Sequence, residues 1–496
     1  MKYLIGVDIG TGSTKAVALN LEYQPIATSQ FFYPTETTKP GYSEQNPELI
    51  WDAFSKSINE LKGKLGDDPI SVGLSSAMHS LILSDEEGNA LAPMMTWADN
   101  RSSNEAKDLL ASEAGRLIYQ ASGTPIHSMS PLTKLIWLKK HETELFQSAS
   151  KFISIKEYIW FRLFGKFKID YSLASATGLF NIHDLKWNPE SLNLAGISAE
   201  KLSSPVQTDY QDSVLIDASK KSLPYLNTTF VIGASDGCLA NLGSDATARG
   251  IAAITIGTSG ALRLASSKPL INAVGMTFNY ILDAETFICG GPVNNGGLAL
   301  QWLLKNIFNK TELKTEDYKQ LFKDVADTPA GSKGLIFLPY LTGERAPIWD
   351  SETCGNFFGL NLQHNQKHMA RAVIEGICYA LNDVLKAVEE NAEPITQINV
   401  SGGFVHSKIW MQILANITGK KIVLVLQEDA SSVGAAYLAA KAVGLTKNYP
   451  SSENTVPKII MPDLELHKTY QRNFLLFKQL YTNLKETMHQ LYHLNN

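Results

Sequence analysis

Cysteine is scarce in this chain. Four occur in 496 residues, at positions 238, 289, 354 and 378, and no two form a C-x-x-C pair. That spacing suggests neither a zinc knuckle nor a disulfide framework, and reduced thiols in a cytoplasmic protein are the expectation. Long apolar runs are missing too. No uncharged stretch reaches the ~20 residues that a membrane-crossing helix needs, and the apolar run at the N-terminus is broken by Asp8, unlike a secretory leader. Nor is there a run of one charge sign: 44 Lys and Arg face 49 Asp and Glu, a formal net charge of −5. A nucleic-acid groove or a basic membrane-binding face is therefore not expected. His141-Glu142 is no zinc motif, because position 145 is Leu. With 44% hydrophobic and 19% charged residues, the chain has a globular composition. Its length predicts two or more domains with ample core.

Glycine set among hydroxyls is what the chain does have. Tyr3 to Ala16 reads as a short buried strand, a reversal at Gly10-Thr-Gly-Ser-Thr14, and a second strand from Lys15 to Asn20. Glycine permits positive φ and close backbone approach, and Ser and Thr add donors. Exposed N–H groups in such a turn form a nest for phosphate oxygens. Asp8 precedes the turn, where a carboxylate could meet a metal bridging those oxygens. By itself the stretch is more often a plain hairpin.

The stretch is echoed, however. Gly250 to Ala265 repeats its form, with an apolar strand, the turn Gly257-Thr-Ser-Gly260 and another apolar strand. Gly10 maps to Gly257 and Thr11 to Thr258 at the same offset of 247 residues. An offset near half the chain implies two copies of one domain rather than a solenoid. The expected division is 1–245 and 246–496, the second part ending in a helix, from His467 to about His493, packed on the body. Paired turns suggest a nucleotide in the cleft between the copies. Gly10, Thr11, Gly12, Ser13 and Lys15 would serve one side of its phosphates, Gly257 and Thr258 the other.

Asp236 lies where the strand Thr229 to Gly233 gives way to a helix, whose dipole favours a carboxylate. An ionised Asp there accepts a proton from a substrate hydroxyl during phosphoryl transfer; an N-cap is the competing role. Asp8 would hold Mg²⁺, which prefers few carboxylates plus phosphate oxygens, or would cap its turn. Ser401-Gly-Gly403, between a strand and a helix, lets a flat base or ribose approach the backbone, with Ser407 on the same nucleotide side. A tight βα turn explains the same residues. Met78-His79 and Trp97-x-Asp99-x-Arg101 suit a small polyhydroxylated ligand, and Arg101 can meet a ligand carboxylate bidentately. Core packing is the alternative for each aromatic taken alone.

In order along the chain, Asp8-Ile-Gly-Thr-Gly12, Met78-His79, Trp97-x-Asp99-x-Arg101, Gly233-Ala-Ser-Asp-Gly237, Gly257-Thr-Ser-Gly260, Gly343-Glu-Arg-Ala-Pro347 and Ser401-Gly-Gly403 look like the FGGY carbohydrate kinases. The resemblance runs from residue 3 to about 440. It implies an α/β fold of two actin-like (ribonuclease H-like) domains around an interdomain active-site cleft. ATP with Mg²⁺ would bind on the C-terminal side and a small sugar or sugar acid on the N-terminal side. It implies Asp236 as catalytic base, Asp8 as the metal-linked Asp, and Gly257 with Thr258 as the second phosphate loop. Gly402 and Gly403 fall on the adenosine motif, and Met78, His79, Trp97, Asp99 and Arg101 on sugar-side motifs. Glu344 and Arg345 would mainly hold the cleft's architecture.

Within the family the wording is most similar to the gluconate kinases, notably at Ser75 to Ser80, Thr96 to Arg101, Gly123 to His127, Asp170 to Gly178 and Gly291 to Gly297. That implies ATP-dependent conversion of D-gluconate to 6-phospho-D-gluconate. Two departures stand out. Gly12 occupies a place where many relatives have Ser or Thr, and Phe404-Val-His406 one where many have smaller or Arg-containing sequence. A pentulose kinase for xylulose or ribulose is the nearest rival. An actin- or chaperone-like ATPase would hydrolyse ATP without sugar and leaves the Met78 and Trp97 motifs unexplained. A sugar-responsive regulator is a third reading, and a homodimer is left open.

Overall fold

The computed structural model describes residues 2–223, 225, 227–272, 274, 276–425, 429–450 and 458–495. Two twisted sheets organise it. In the first, β1 (Leu4–Ile9), β2 (Ser13–Leu19) and β3 (Pro25–Phe32) form an antiparallel meander. The chain then enters helix α1 (Pro47–Leu65), started by Pro47 and by the Asn46 side chain, which accepts from the Glu48 N–H. Strand β4 (Ser71–Ser76) returns parallel to β1. After helices α2 (Pro131–His141) and α3 (Ile155–Phe164), the edge strand β5 (Gln211–Asp212) precedes β6 (Thr229–Ser235), which is parallel to β4. The six-stranded order is β5-β6-β4-β1-β2-β3. β1 and β4 are buried on nearly every residue because both faces of the sheet are covered.

Helix α4 (Asp236–Gly243) leads to the second sheet. It comprises β7 (Ile251–Ile256), β8 (Gly260–Ser266), β9 (Phe278–Asp283), β10 (Thr286–Val293), β11 (Gln397–Ser401), β12 (Lys421–Leu424) and β13 (Lys458–Ile460), in the order β9-β10-β8-β7-β11-β12-β13. β7 pairs antiparallel with β8 and parallel with β11, as β1 does with β2 and β4. The echo read in the sequence is thus an echo of topology. Helices α5 (Gln366–Glu389) and α6 (Lys408–Thr418) cover this sheet.

Helix α7 (Ala430–Ala442) follows β12 in sequence yet lies on the first sheet. Glycines make that approach possible: a Cβ at Gly6 would stand 1.7 Å from the Ser432 carbonyl oxygen, and one at Gly73 2.2 Å from that of Ala435. α7 also crosses α4 backbone to backbone, with Gly434 against Leu239 and Gly243 against Ala430. The last helix of the first half, α4, therefore meets α7 of the second half backbone to backbone. The long tail helix α8 (Leu464–Asn495) docks on its own chain, burying Tyr470, Phe474 and Phe477. The Tyr470 hydroxyl joins the buried Arg371–Glu375 pair at 2.7 and 2.8 Å.

Candidate active site

The two glycine turns face each other across one cavity. The first spans Gly10 to Gly12 only, because Ser13 and Thr14 already belong to β2 and Thr14 is fully buried. The Gly10 N–H is used within the turn, donating to the Ser13 carbonyl at 3.0 Å. The second turn, Gly257 to Ser259, closes the same way, with the Gly257 N–H donating to Ser259 O at 2.9 Å. A Cβ at Gly12 would meet nothing within 4 Å, so the fold leaves room for the side chain missing there. Lys15 pairs with Asp429 at the start of α7 rather than standing free.

A β-bulge aims Asp236. Register shifts between Val231 and Ala234, where Gly233 adopts φ +69° and packs so tightly on β4 that a Cβ would lie 1.8 Å from Leu74 O. Bulges of this kind re-aim a strand's end. Ser235, not Asp236, is the N-cap of α4, so the carboxylate is not consumed in capping. Below it, the buried Lys156 donates to Ala234 O at 2.8 Å and pairs with the buried Asp170 at 2.7 Å. Burial pushes the Asp236 carboxyl up, while Arg263, the Gly237 N–H and Lys156 pull it down. Asp8 lies close by and accepts from the Ser75 hydroxyl at 2.7 Å. Burial, then the charge of Asp236, push Asp8 up to about 7.

The cavity, about 380 Å³, is lined by Thr11, Met78, His79, Trp97 and Asp236 from the first half, and by Gly257, Ser259, Arg263, Tyr280 and Arg345, among others, from the second. His79 holds φ +65° at its floor. Its Nδ1 donates to Ala176 O at 2.8 Å, which leaves Nε2 to accept from the Tyr280 hydroxyl at 3.4 Å. Burial, then the charge of Lys134, hold this imidazole neutral, down to about 3. Trp97 Nε1 donates to Thr11 Oγ1 at 2.9 Å and so ties the sugar-side wall to the first turn. The fully buried Lys134 of α2 donates to His79 O at 2.7 Å and Thr96 O at 2.6 Å, holding both wall segments.

Asp99 and Arg101 are placed elsewhere. Arg101 does not line the cavity: it donates to Asp99 at 2.8 and 2.7 Å and to Glu44 at 2.5 Å, and its guanidinium lies 3.6 Å over the Tyr42 ring. Fully buried Asp99 also accepts from the Ser43 N–H at 2.8 Å. The pair braces the loop behind Trp97, and the Nε–Nη2 edge of Arg101, the one that would grip a ligand carboxylate bidentately, is taken by Asp99. Ser407 caps α6, accepting from the Trp410 N–H at 3.3 Å. Gly402 and Gly403 are exposed beside the second turn; Gly402 needs its φ of +100°, and a Cβ there would lie 2.4 Å from Ile256 O. Phe404 turns inward against Trp410.

Arg263, Tyr280, Lys134 and Lys156 were not among the residues expected at the site. Arg263 had a legible sign, a single charge in the otherwise apolar strand after the second turn. Arg345, read as architectural, does both jobs. Its Nε donates to Asn294 at 2.6 Å, its guanidinium sits 5.6 Å from the Trp97 ring, and it lines the cavity.

Family models match both halves of the chain: residues 3–243 match the N-terminal domain of the FGGY family of carbohydrate kinases, and residues 252–443 its C-terminal domain. The chain belongs to the FGGY family of carbohydrate kinases. Its fold is the expected pair of actin-like domains, and it is a sugar kinase. Gluconokinase of Bacillus subtilis (strain 168) is 39% identical to this FGGY kinase over 464 residues, 92% of this chain and 90% of that one. Two solved structures from Lactobacillus acidophilus, one described as a gluconate kinase and one as a ligand-bound xylulose kinase, each superpose with a TM-score of 0.94 at 36% identity. Both cover 99% of this chain, and the match spans 99% and 100% of theirs. Overall shape therefore does not separate the two sugars. No helix among the described residues is long and apolar enough to cross a membrane.

Asp8 suits a magnesium ion in this kinase. Among the described residues no three acidic, His or Cys side chains gather into a closed metal cage. One carboxylate, raised by burial and by a neighbouring carboxylate, fits a cation that completes its shell with phosphate oxygens and water.

Proposed function

We propose that this FGGY kinase transfers the γ-phosphoryl group of ATP to the terminal hydroxyl of D-gluconate, giving 6-phospho-D-gluconate. The observation that carries the reading is the position of Asp236, in one cavity with both glycine turns and a wall of Met78, His79 and Trp97. The gluconokinase similarity supports gluconate over a pentulose; the xylulose-kinase relatives keep the pentulose as the second reading.

Asp236 accepts the hydroxyl proton as the oxygen attacks, and the bulge at Gly233 with the Lys156 brace keeps it aimed. Thr11 and the N–H groups of both turns other than those of Gly10 and Gly257 hold the phosphate oxygens, where fixed donors stabilise the developing charge. Neutral His79, with its tautomer set by Ala176, orients Tyr280 and the sugar hydroxyls near it. Asp8 would hold Mg²⁺, which neutralises phosphate charge when bound with the nucleotide. Exposed Gly402 and Gly403 give the adenosine a flat backbone approach.

Two measurements test this. ADP release against gluconate, xylulose, ribulose, glycerol and no sugar should be fastest with gluconate; equal release without sugar would mark an ATPase instead. Asp236→Asn should cut kcat by roughly 10³-fold, within the range of general-base contributions, while ATP still binds. Turnover near wild type would remove Asp236 from its role.

A further inference from the structure

We propose that Arg263 reads the carboxylate of a sugar-acid substrate. The inference rests on the acid rather than the pentulose reading of the substrate.

Arg263 stands in the middle of β8, within Ala-Leu-Arg-Leu-Ala, on a strand whose other residues from Gly260 to Ala265 are buried. Its partner on β10 is Gly290. Its side chain runs over the first turn of α4, where Gly237 leaves the space: a Cβ at 237 would stand 3.1 Å from Arg263 Nε and 3.3 Å from Met78 Cε. The guanidinium thus enters the cavity beside Asp236 and Met78, on the sugar-side wall. Tyr280, the partner of His79, lines the same cavity.

Three arginines sit in or near this region, and their bonding differs. Arg101 is spent on Asp99 and Glu44. Arg345 is held by Asn294 and lies against Trp97. The Arg263 side chain makes no hydrogen bond and no ion pair among the described residues, and only burial and the charges of nearby groups act on it. The residue is half-buried, its fork of donors has no protein partner, and a planar carboxylate matches that fork. Arg345 has Glu344 as a neighbouring charge, whereas the carboxylate that acts on Arg263 is Asp236, which the reading reserves for the substrate hydroxyl. A neutral polyol offers Arg263 no counter-charge; an aldonate does. The γ-phosphoryl group is the other anion that enters here, but the glycine turns already present donors to it, whereas Arg263 lies with Met78 and Tyr280.

The test compares D-gluconate with D-gluconamide, its uncharged counterpart, on wild type, Arg263→Met and Arg263→Lys. The amide is measured as substrate or, where it turns over too slowly, as competitive inhibitor. Wild type should prefer the acid. Arg263→Met should raise KM for gluconate about 30-fold, the worth of a charge-assisted pair, with a smaller change in kcat. It should leave the amide's constant within a few-fold, and Arg263→Lys should restore part of the preference. Melting temperature and ATP binding establish that each variant is folded. If acid and amide lose equally, chiefly in kcat, Arg263 serves the phosphoryl group or Asp236 and the inference is overturned, with the gluconate reading intact. If wild type ignores gluconate and phosphorylates xylulose, the substrate reading fails and this inference fails with it.

Discussion

Lys134 shows what single residues do for this site. Its ammonium is sealed between the carbonyls of His79 and Thr96, and burial lowers it from the ordinary 10.5 to about 7. Between those values the unfolded chain keeps a proton that the folded chain gives up, so this group adds stability as pH rises from 7 toward 10.5 and withdraws it as pH falls through 7. Thermal melts of wild type and Lys134→Met across that range should show wild type gaining several degrees relative to the variant. Parallel curves would mean that the lysine titrates in the fold as it does in water. Lys134 also shows why sequence reaches some residues and misses others. Among Leu, Ile and Trp on a helix it reads as a solvated charge, because nothing local reveals two carbonyls waiting above it. Arg101 fails in the opposite direction. Trp97-x-Asp99-x-Arg101 was legible as a cluster, but spacing cannot say that Asp99 and Glu44 have already taken the guanidinium. Asp8 and Asp236 were legible because a strand end followed by glycine leaves a carboxylate few other places to go.

Elements were legible where the pattern is local. The β1–β2 hairpin, its repeat at β7–β8 and the tail helix all follow from apolar periodicity and glycine punctuation. The bulge in β6 was not, since Gly233 looks like a strand terminus until Leu74 is found pressed against it. Nor was the placement of α7. An alanine-rich helix declares that it is buried but not against which sheet, and β1, β4 and α4 supply the glycines that admit it. That crossing is testable. A side chain at Gly434 would begin 2.0 Å from Leu239 O, with its three nearest neighbours all backbone atoms of α4 and no flexible group to yield. Gly434→Val should therefore cost about 3 kcal/mol or more, the upper range for overpacking, read as a lower urea midpoint. It should also depress turnover, because α4 begins with Asp236. A variant of wild-type stability would mean that the two helices part easily.

At the scale of the whole molecule, the cavity belongs to neither half. Thr11, Trp97 and Asp236 come from one, Gly257, Arg263 and Arg345 from the other, and the halves meet at the α4–α7 crossing. On the proposed reading both ligands would touch both halves, and closure of the walls on them would keep water from competing with the sugar hydroxyl at Asp236. ATP alone lacks the acceptor's contacts, so hydrolysis without sugar should be slow. An acceptor that closes the cleft yet lacks the reacting hydroxyl separates closure from chemistry. 6-Deoxygluconate keeps the carboxylate and the remaining hydroxyls but leaves a methyl group, with room beside it, where the terminal oxygen would stand. It should raise ATP hydrolysis several-fold above the sugar-free rate, since the aligned phosphoryl group then faces water oriented by Asp236, and Asp236→Asn should abolish the rise. If the analogue binds, as competition with gluconate would show, and hydrolysis stays flat or falls, then closure alone does not set the reactivity of the bound nucleotide. In that case the terminal hydroxyl itself is needed to complete the site.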